Sequence, residues 1–250
     1  MRHSGLFKLL QEDSGYQSIL QGLERQLSSQ VIYGLVGSQK SFLVSGLIWQ
    51  GAEPVVIIAP DDDTARKWVN DLAVFLPGKV EYFPAREMLQ FQIVAHSKEL
   101  VAQRLTTMSR IIKKKITCLV TTGEALSQYL MPSQVYRDSL FSLERSQVVQ
   151  WEQLIAKLSL LGYERVDLVE AQGQFAVRGG LIDIFLLTEE DPIRLEFFDD
   201  EIDSIRCFSL DNQRSYADLS RILIGPAREL IITEEAKLNG RKAIEKEWKA

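Results

Sequence analysis

The residues with the most chemical promise form one run, Gly34-Leu35-Val36-Gly37-Ser38-Gln39-Lys40-Ser41. A strand, then G-x-x-x-x-G-K-S, then a helix is the pattern of a phosphate-cradling loop. Its backbone N–H groups wrap the phosphates, its lysine reaches them and its hydroxyl meets magnesium. Here Gln39 occupies the place of the second glycine. A Cβ there crowds the nucleotide and disfavours the backbone conformations such a loop needs. Gly34, Gly37, Ser38, Gln39, Lys40 and Ser41 therefore read as a degenerate phosphate loop, with retained phosphate binding through Lys40 and Ser41 as the alternative. Hydrolysis also needs an acidic residue at a strand end to hold the metal. The apolar run ITCLVTT, 116 to 122, ends in Thr121, Thr122 and Gly123 instead. The cluster Asp199-Asp200-Glu201-Ile202-Asp203 lies between two strand-like runs and reads as a solvated turn. No catalytic residue is expected.

Residue supply narrows the other chemistries. The two histidines, His3 and His96, and the two cysteines, Cys118 and Cys207, are too scattered for a zinc set or a disulfide framework, so no metal is expected and a reducing, cytoplasmic compartment fits. The N-terminus lacks a signal-peptide pattern, and no apolar run is long enough to span a bilayer. With 250 residues, 46% hydrophobic and 25% charged, the chain can bury a core of one or two domains. A net charge of −5 argues against a dedicated nucleic-acid binder. Lys113 to Lys115, with Arg104 and Arg110, form the one basic group weighed for DNA contact, but the lysines end a helix, where cations suit the dipole.

These residues need elements to hold them. VIYGLV (31 to 36), PVVIIAP (54 to 60), VEYFP (80 to 84) and ITCLVTT read as strands. Helices fall between them: Ser41 to Gln50, a second started by Asp61 to Asp63, and a third with Val101, Leu105, Met108 and Ile112 on one face. Alternating strands and helices predict a parallel sheet covered on both faces, an α/β domain like that of phosphate-loop nucleotide hydrolases over 1–126. Beyond it, Trp151, Leu154, Ile155, Leu158 and Leu161 share a helical face that Gly162 terminates. RVDLVE, QFAVRG, GLIDIFLL, IRLEFFD and IDSIRCFSL then predict an antiparallel meander, making 127–211 a small, mainly antiparallel α+β domain inserted after the first. RILIGPA and a charged helical tail make 212–250 the start of a segment returning to the first domain.

Within that second region the motifs become specific. Gly162-Tyr163-Glu164-Arg165-Val166-Asp167, the run from Gly173 through Arg178-Gly179-Gly180 to Asp183-Ile184-Phe185, and Arg194-Leu195-Glu196 through Glu201-Ile202-Asp203 resemble the pattern shared by UvrB excision-repair proteins and bacterial transcription-repair coupling factors. The resemblance spans about 30 to 235 and is sharpest over 162 to 205. UvrB proteins have an intact phosphate loop and a long tyrosine-rich hairpin, and the stretch from Phe83 to Ser97 is too short for that hairpin. The chain therefore looks like the UvrB-homology module of the coupling factors.

The resemblance implies a non-catalytic adaptor that recruits UvrA, the damage-recognition ATPase, in transcription-coupled nucleotide excision repair. It implies that the full-length protein is an ATP-dependent DNA translocase that displaces stalled RNA polymerase on double-stranded DNA. ATP and magnesium would then sit in its separate motor, with no cofactor in this module, and a C-terminal domain would mask the UvrA-binding face. The rival is a UvrB-like nucleotide-binding ATPase module. Carried over by motif, Arg165, Arg178, Phe185, Arg194 and Glu196 are the expected UvrA contacts, arginines for carboxylates and an exposed ring as anchor. Read alone, the arginines are equally solvated strand residues or partners of Asp167, Asp183 and Glu196. Phe185 shares a strand face with Asp183, so it is expected to be less buried than Ile184, and Gly179 with Gly180 to serve a bulge or close approach.

Overall fold

The structure is a computed structural model that describes residues 4–86, 98–232 and 234–248. His3, His96 and most of the short connection expected between Phe83 and Ser97 lie outside the described residues. The chain groups into two units, residues up to 86 with 107–128, and 98–106 with those from 129 onward.

The first unit begins with α1 (Ser4–Leu10), α2 (Ser14–Glu24) and α3 (Gln39–Trp49). A parallel sheet follows, with strands β1 (Val55–Ala59), β2 (Val80–Phe83) and β3 (Cys118–Thr122) in the order β1-β3-β2. Between its strands in sequence come α4 (Asp62–Phe75) and α5 (Lys98–Ile112), of which residues 98–106 group with the second unit, and α6 (Gly123–Leu126) follows β3. Asp61 caps α4 as its sequence predicts, accepting the Thr64 N–H at 2.7 Å, while Asp62 and Asp63 face the positive end of the helix dipole. Ile48, Ala59, Leu72, Tyr82, Cys118 and Val120 close the core.

The first expected strand does not form. Residues 31–36 run as irregular chain with Val31 88% and Tyr33 90% exposed. A β-branched run gains stability only by pairing, and Gly34, at φ +85°, breaks its extended path. The sheet is correspondingly open on one side of β1, where Val56 and Ile58 are more than half exposed, so the expectation of two covered faces fails there. The basic group is also altered. Arg110 Nη1 lies 2.7 Å from Glu81, and Arg110 Nη2 donates to the Gly78 carbonyl.

The second unit contains α7 (Ser133–Ser139), β4 (Phe141–Glu144) and α8 (Trp151–Leu160). Six strands follow: β5 (Glu164–Val166), β6 (Gln174–Arg178), β7 (Leu181–Ile184), β8 (Ile193–Phe198), β9 (Glu201–Phe208) and β10 (Ser215–Asp218). They form one sheet in the order β10-β9-β8-β7-β6-β5. Then come β11 (Arg221–Ile224), paired antiparallel with β4, and α9 (Glu234–Trp248). The sheet is antiparallel except at β5, which joins β6 in parallel. The meander therefore starts one strand later than its turn residues suggest, because the chain between β5 and β6 crosses back and buries Val169 on the way. Leu154 and Leu158 of α8 are buried, and Gly162 ends the helix region at φ +93°, where a Cβ would strike the Arg228 side chain. Arg104, the other arginine of the basic group, is fully buried and held bidentate by Glu229 at 2.6 and 3.0 Å. It is not available for DNA contact.

Candidate partner-binding surface

Strand alternation sorts the six-stranded sheet into two faces. Phe175, Ile182, Ile184, Leu195 and Ile205 are buried on one. Register brings Ala176, Asp183, Arg194 and Arg206 side by side on the other, with Arg178, Leu181, Glu196 and Ser204 in the next row. Three arginines and two carboxylates thus cross four adjacent strands, and Asp218 of β10 extends the series opposite Arg206.

Asp183 is the hub. It is 1% exposed, yet its carboxylate accepts Arg194 Nε at 2.7 Å, Arg194 Nη2 at 2.9 Å and Arg178 Nη2 at 2.6 Å. A buried carboxylate is tolerable only when paired and hydrogen-bonded in this way. Arg194 is further fixed by donating to the Gln213 carbonyl and by lying over the Phe208 ring. The hydrogen bonds to Asp183 push the pKa of the Arg194 guanidinium up from its ordinary value. Arg178 differs: one nitrogen is anchored on Asp183, yet its side chain is 43% exposed. Across the face, Glu196 accepts the Ser204 hydroxyl at 2.6 Å and lies 3.5 Å from Arg206, which also bonds Asp218. Gly180 admits the close approach of β8, whose Phe197 carbonyl would sit 3.0 Å from a Cβ there.

The five residues assigned from sequence do not form one pad. Arg178, Arg194 and Glu196 share the charged face, although Arg194 and Glu196 are largely spent on internal partners. Arg165 is exposed but aligns with Phe175, which places it on the opposite face of edge strand β5. Phe185 is buried at 7%, a correction to the exposed ring expected there. It does lie on the Asp183 side, but Val169, Ala176 and Phe208 cover that end of the face, with Val166 and Leu210 around them. On the strands of this sheet the exposed rings are Phe198 at 76% and Tyr216 at 59%. Sequence reasoning does not single out Phe198; it is the last residue of β8, just before Asp199, whose φ of +52° turns the chain.

The degenerate loop can be tested against a nucleotide. The Gln39 side chain accepts the Val36 N–H at 2.9 Å, occupying a loop amide that a phosphate would need. The Ser41 hydroxyl has the Ser38 carbonyl and the Asp71 carboxylate as its acceptors, and Asp71 lines the same cleft as Lys40 and Lys67. The Gln39 oxygen thus competes with a phosphate for the Val36 amide, while Asp71 sits on helix α4 rather than at a strand end. Among the described residues, no group of three histidine, cysteine or acidic side chains is placed to hold a metal, and no helix is long and apolar enough to cross a membrane.

Residues 141–230, which contain the whole charged face, match the UvrB interaction domain family. The transcription-repair-coupling factor of Bacillus subtilis strain 168 is 37% identical over 94% of the chain. That of Staphylococcus aureus strain Mu50 is 30% identical over 92%. The chain is similar to a module of the transcription-repair-coupling factors. It spans 20% of the length of these relatives. In this coupling-factor-like module, the family match begins at β4 and runs past β11, so it covers both the six-stranded sheet and the separate β4–β11 pair.

Proposed function

We propose that this chain is a non-catalytic adaptor that recruits UvrA to sites of transcription-coupled nucleotide excision repair. The observation that carries the reading is the coincidence of the UvrB interaction domain match with a charged sheet face on which Arg178, bonded to Asp183, keeps 43% of its side chain exposed. A guanidinium already oriented by Asp183 loses little side-chain freedom on meeting a partner carboxylate, and its planar fork suits bidentate pairing. Arg165, from the other face of the edge strand, and Phe198, at the hairpin tip, are the further contacts proposed. In the longer protein this module would accompany an ATP-dependent translocase motor acting on double-stranded DNA and stalled RNA polymerase in the cytoplasm. A C-terminal domain would cover the charged face until UvrA is needed.

The test is titration of purified UvrA with the whole chain and its variants, each checked for folding by circular dichroism. Arg178→Ala is expected to weaken binding about tenfold or more, as loss of a charge-assisted contact does. Arg165→Ala and Phe198→Ala should weaken it too. Undiminished binding by all three folded variants refutes the assignment of the surface, and absence of UvrA binding by the wild type refutes the adaptor reading.

A further inference from the structure

Beside β4 lies a groove of about 540 Å³ that shares no residue with the charged face. Ser142 and Leu143 of β4 line it together with Gln147, Val148 and Val149, and α8 adds Gln153, Leu154 and Lys157. Clefts of this size hold ligands of several hundred ångströms cubed. Three observations say what would fill it.

The first is an open backbone edge. β4 and β11 make a sheet of only two strands. Arg145 N–H bonds the Ser220 carbonyl at 3.1 Å, so the alternation of an antiparallel ladder puts Leu143 and Phe141 in hydrogen-bonded pairs and turns the N–H and carbonyl of Ser142 outward. The next outward donor, the Glu144 N–H, already goes to the Gln147 side chain at 3.0 Å, as an added strand would receive it. Among the described residues no strand pairs with that side of β4, and an open edge of this kind is a template for another strand. The second is charge. Lys157 is the only ionic residue lining the groove. Its Nζ sits 3.7 Å from the centroid of the Phe141 ring, and among the described residues it has no carboxylate partner. The third is side-chain supply. Val148 is 71% exposed on the groove wall, an apolar contact without a cover.

We propose that this groove binds an extended, acidic peptide segment of a partner protein, which adds to the open edge of β4 at Ser142 and places a carboxylate against Lys157. Main-chain bonds to the edge would supply affinity, and the lysine would select the acidic side chain. The inference does not rest on UvrA recruitment, because the groove and the Arg178 face can be disabled separately.

The experiment pans a randomised displayed-peptide library against the whole chain, then measures the enriched peptides by titration and by amide NMR. Enriched sequences are expected to carry an Asp or Glu flanked by β-branched residues, and to shift the Ser142 and Lys157 amides. Lys157→Gln should weaken them about tenfold, the loss of one charge-assisted contact. Ser142→Pro removes the outward donor while sparing the β4–β11 bonds, since proline is tolerated on an edge facing solvent, and it should abolish binding. Either substitution leaving affinity unchanged in a folded chain overturns the proposal. So does a library that yields no groove binder, or only binders without an acidic residue. Variants at Arg178 should bind the peptides as the wild type does, and loss there would also count against a separate site.

Discussion

Asp183 holds two arginines with one buried carboxylate, and its substitution should show in stability before it shows in binding. Removing one partner of a buried ion pair leaves the other uncompensated, at about 3–5 kcal/mol. Asp183→Ala is therefore expected to lower the urea midpoint strongly. Arg178→Ala, with its side chain 43% exposed, should cost about 1 kcal/mol or less. A denaturation series on the two variants checks this, and equal losses would show that Arg178 is as structural as Arg194. Phe185→Ala belongs with Asp183→Ala. Its ring is packed in a satellite core, so truncation should cost about 3–5 kcal/mol. Any loss of UvrA capture by that variant should follow its loss of folded protein. Sequence left the arginines of this face open between solvent, internal pairing and recognition, and the structure pairs both Arg178 and Arg194 with Asp183 while leaving Arg178 the more exposed. Alternation correctly put Phe185 on the Asp183 side, but it reports only which face a residue takes. What covers that face comes from Val169 and Phe208, residues distant in the chain.

At the scale of elements, legibility followed how local the cause was. The α4 start was readable because Asp61 and Thr64 are three residues apart, and the end of α8 because Gly162 supplies its own left-handed turn. The run from Val31 to Val36 has strand composition, but a strand is made by its neighbour, and none of the described residues pairs with it. β4 went unread for the opposite reason. It has four residues and no clear alternation, and its partner β11 begins at Arg221, far along the chain. β3 provides a test of its own placement. Cys118 is fully buried, and burial pushes its thiol up to about 11. A raised thiol pKa means the fold favours the protonated form. That contribution is complete below the ordinary thiol value of 9.0 and is lost as pH rises toward the folded value. The wild type should therefore lose more stability than Cys118→Ala between these limits, measured by urea unfolding at each pH. At neutral pH a maleimide should label the half-buried Cys207 first and reach Cys118 only on unfolding.

Over the whole molecule, the charge balance sets a further expectation. The chain carries −5, Arg104 is sealed against Glu229, and Arg110 is engaged by Glu81 and Gly78. Lys113 to Lys115 are left as a small exposed group, too few to neutralise many phosphates. Gel retardation of duplex DNA at physiological salt should be absent, and Lys113→Ala with Lys114→Ala should change nothing. Salt-sensitive retardation that these substitutions remove would assign the chain a role on DNA.

The Gln39 contact bears on any attempt to restore the loop. Replacing Gln39 by glycine would restore the spelling of the motif, yet it would free the Val36 amide into a segment that has no strand behind it and a carboxylate, Asp71, in front. Fluorescent nucleotide should remain unbound by Gln39→Gly. A glycine at position 39 therefore changes one contact of this segment and leaves the Ser41 hydrogen bond to Asp71 in place.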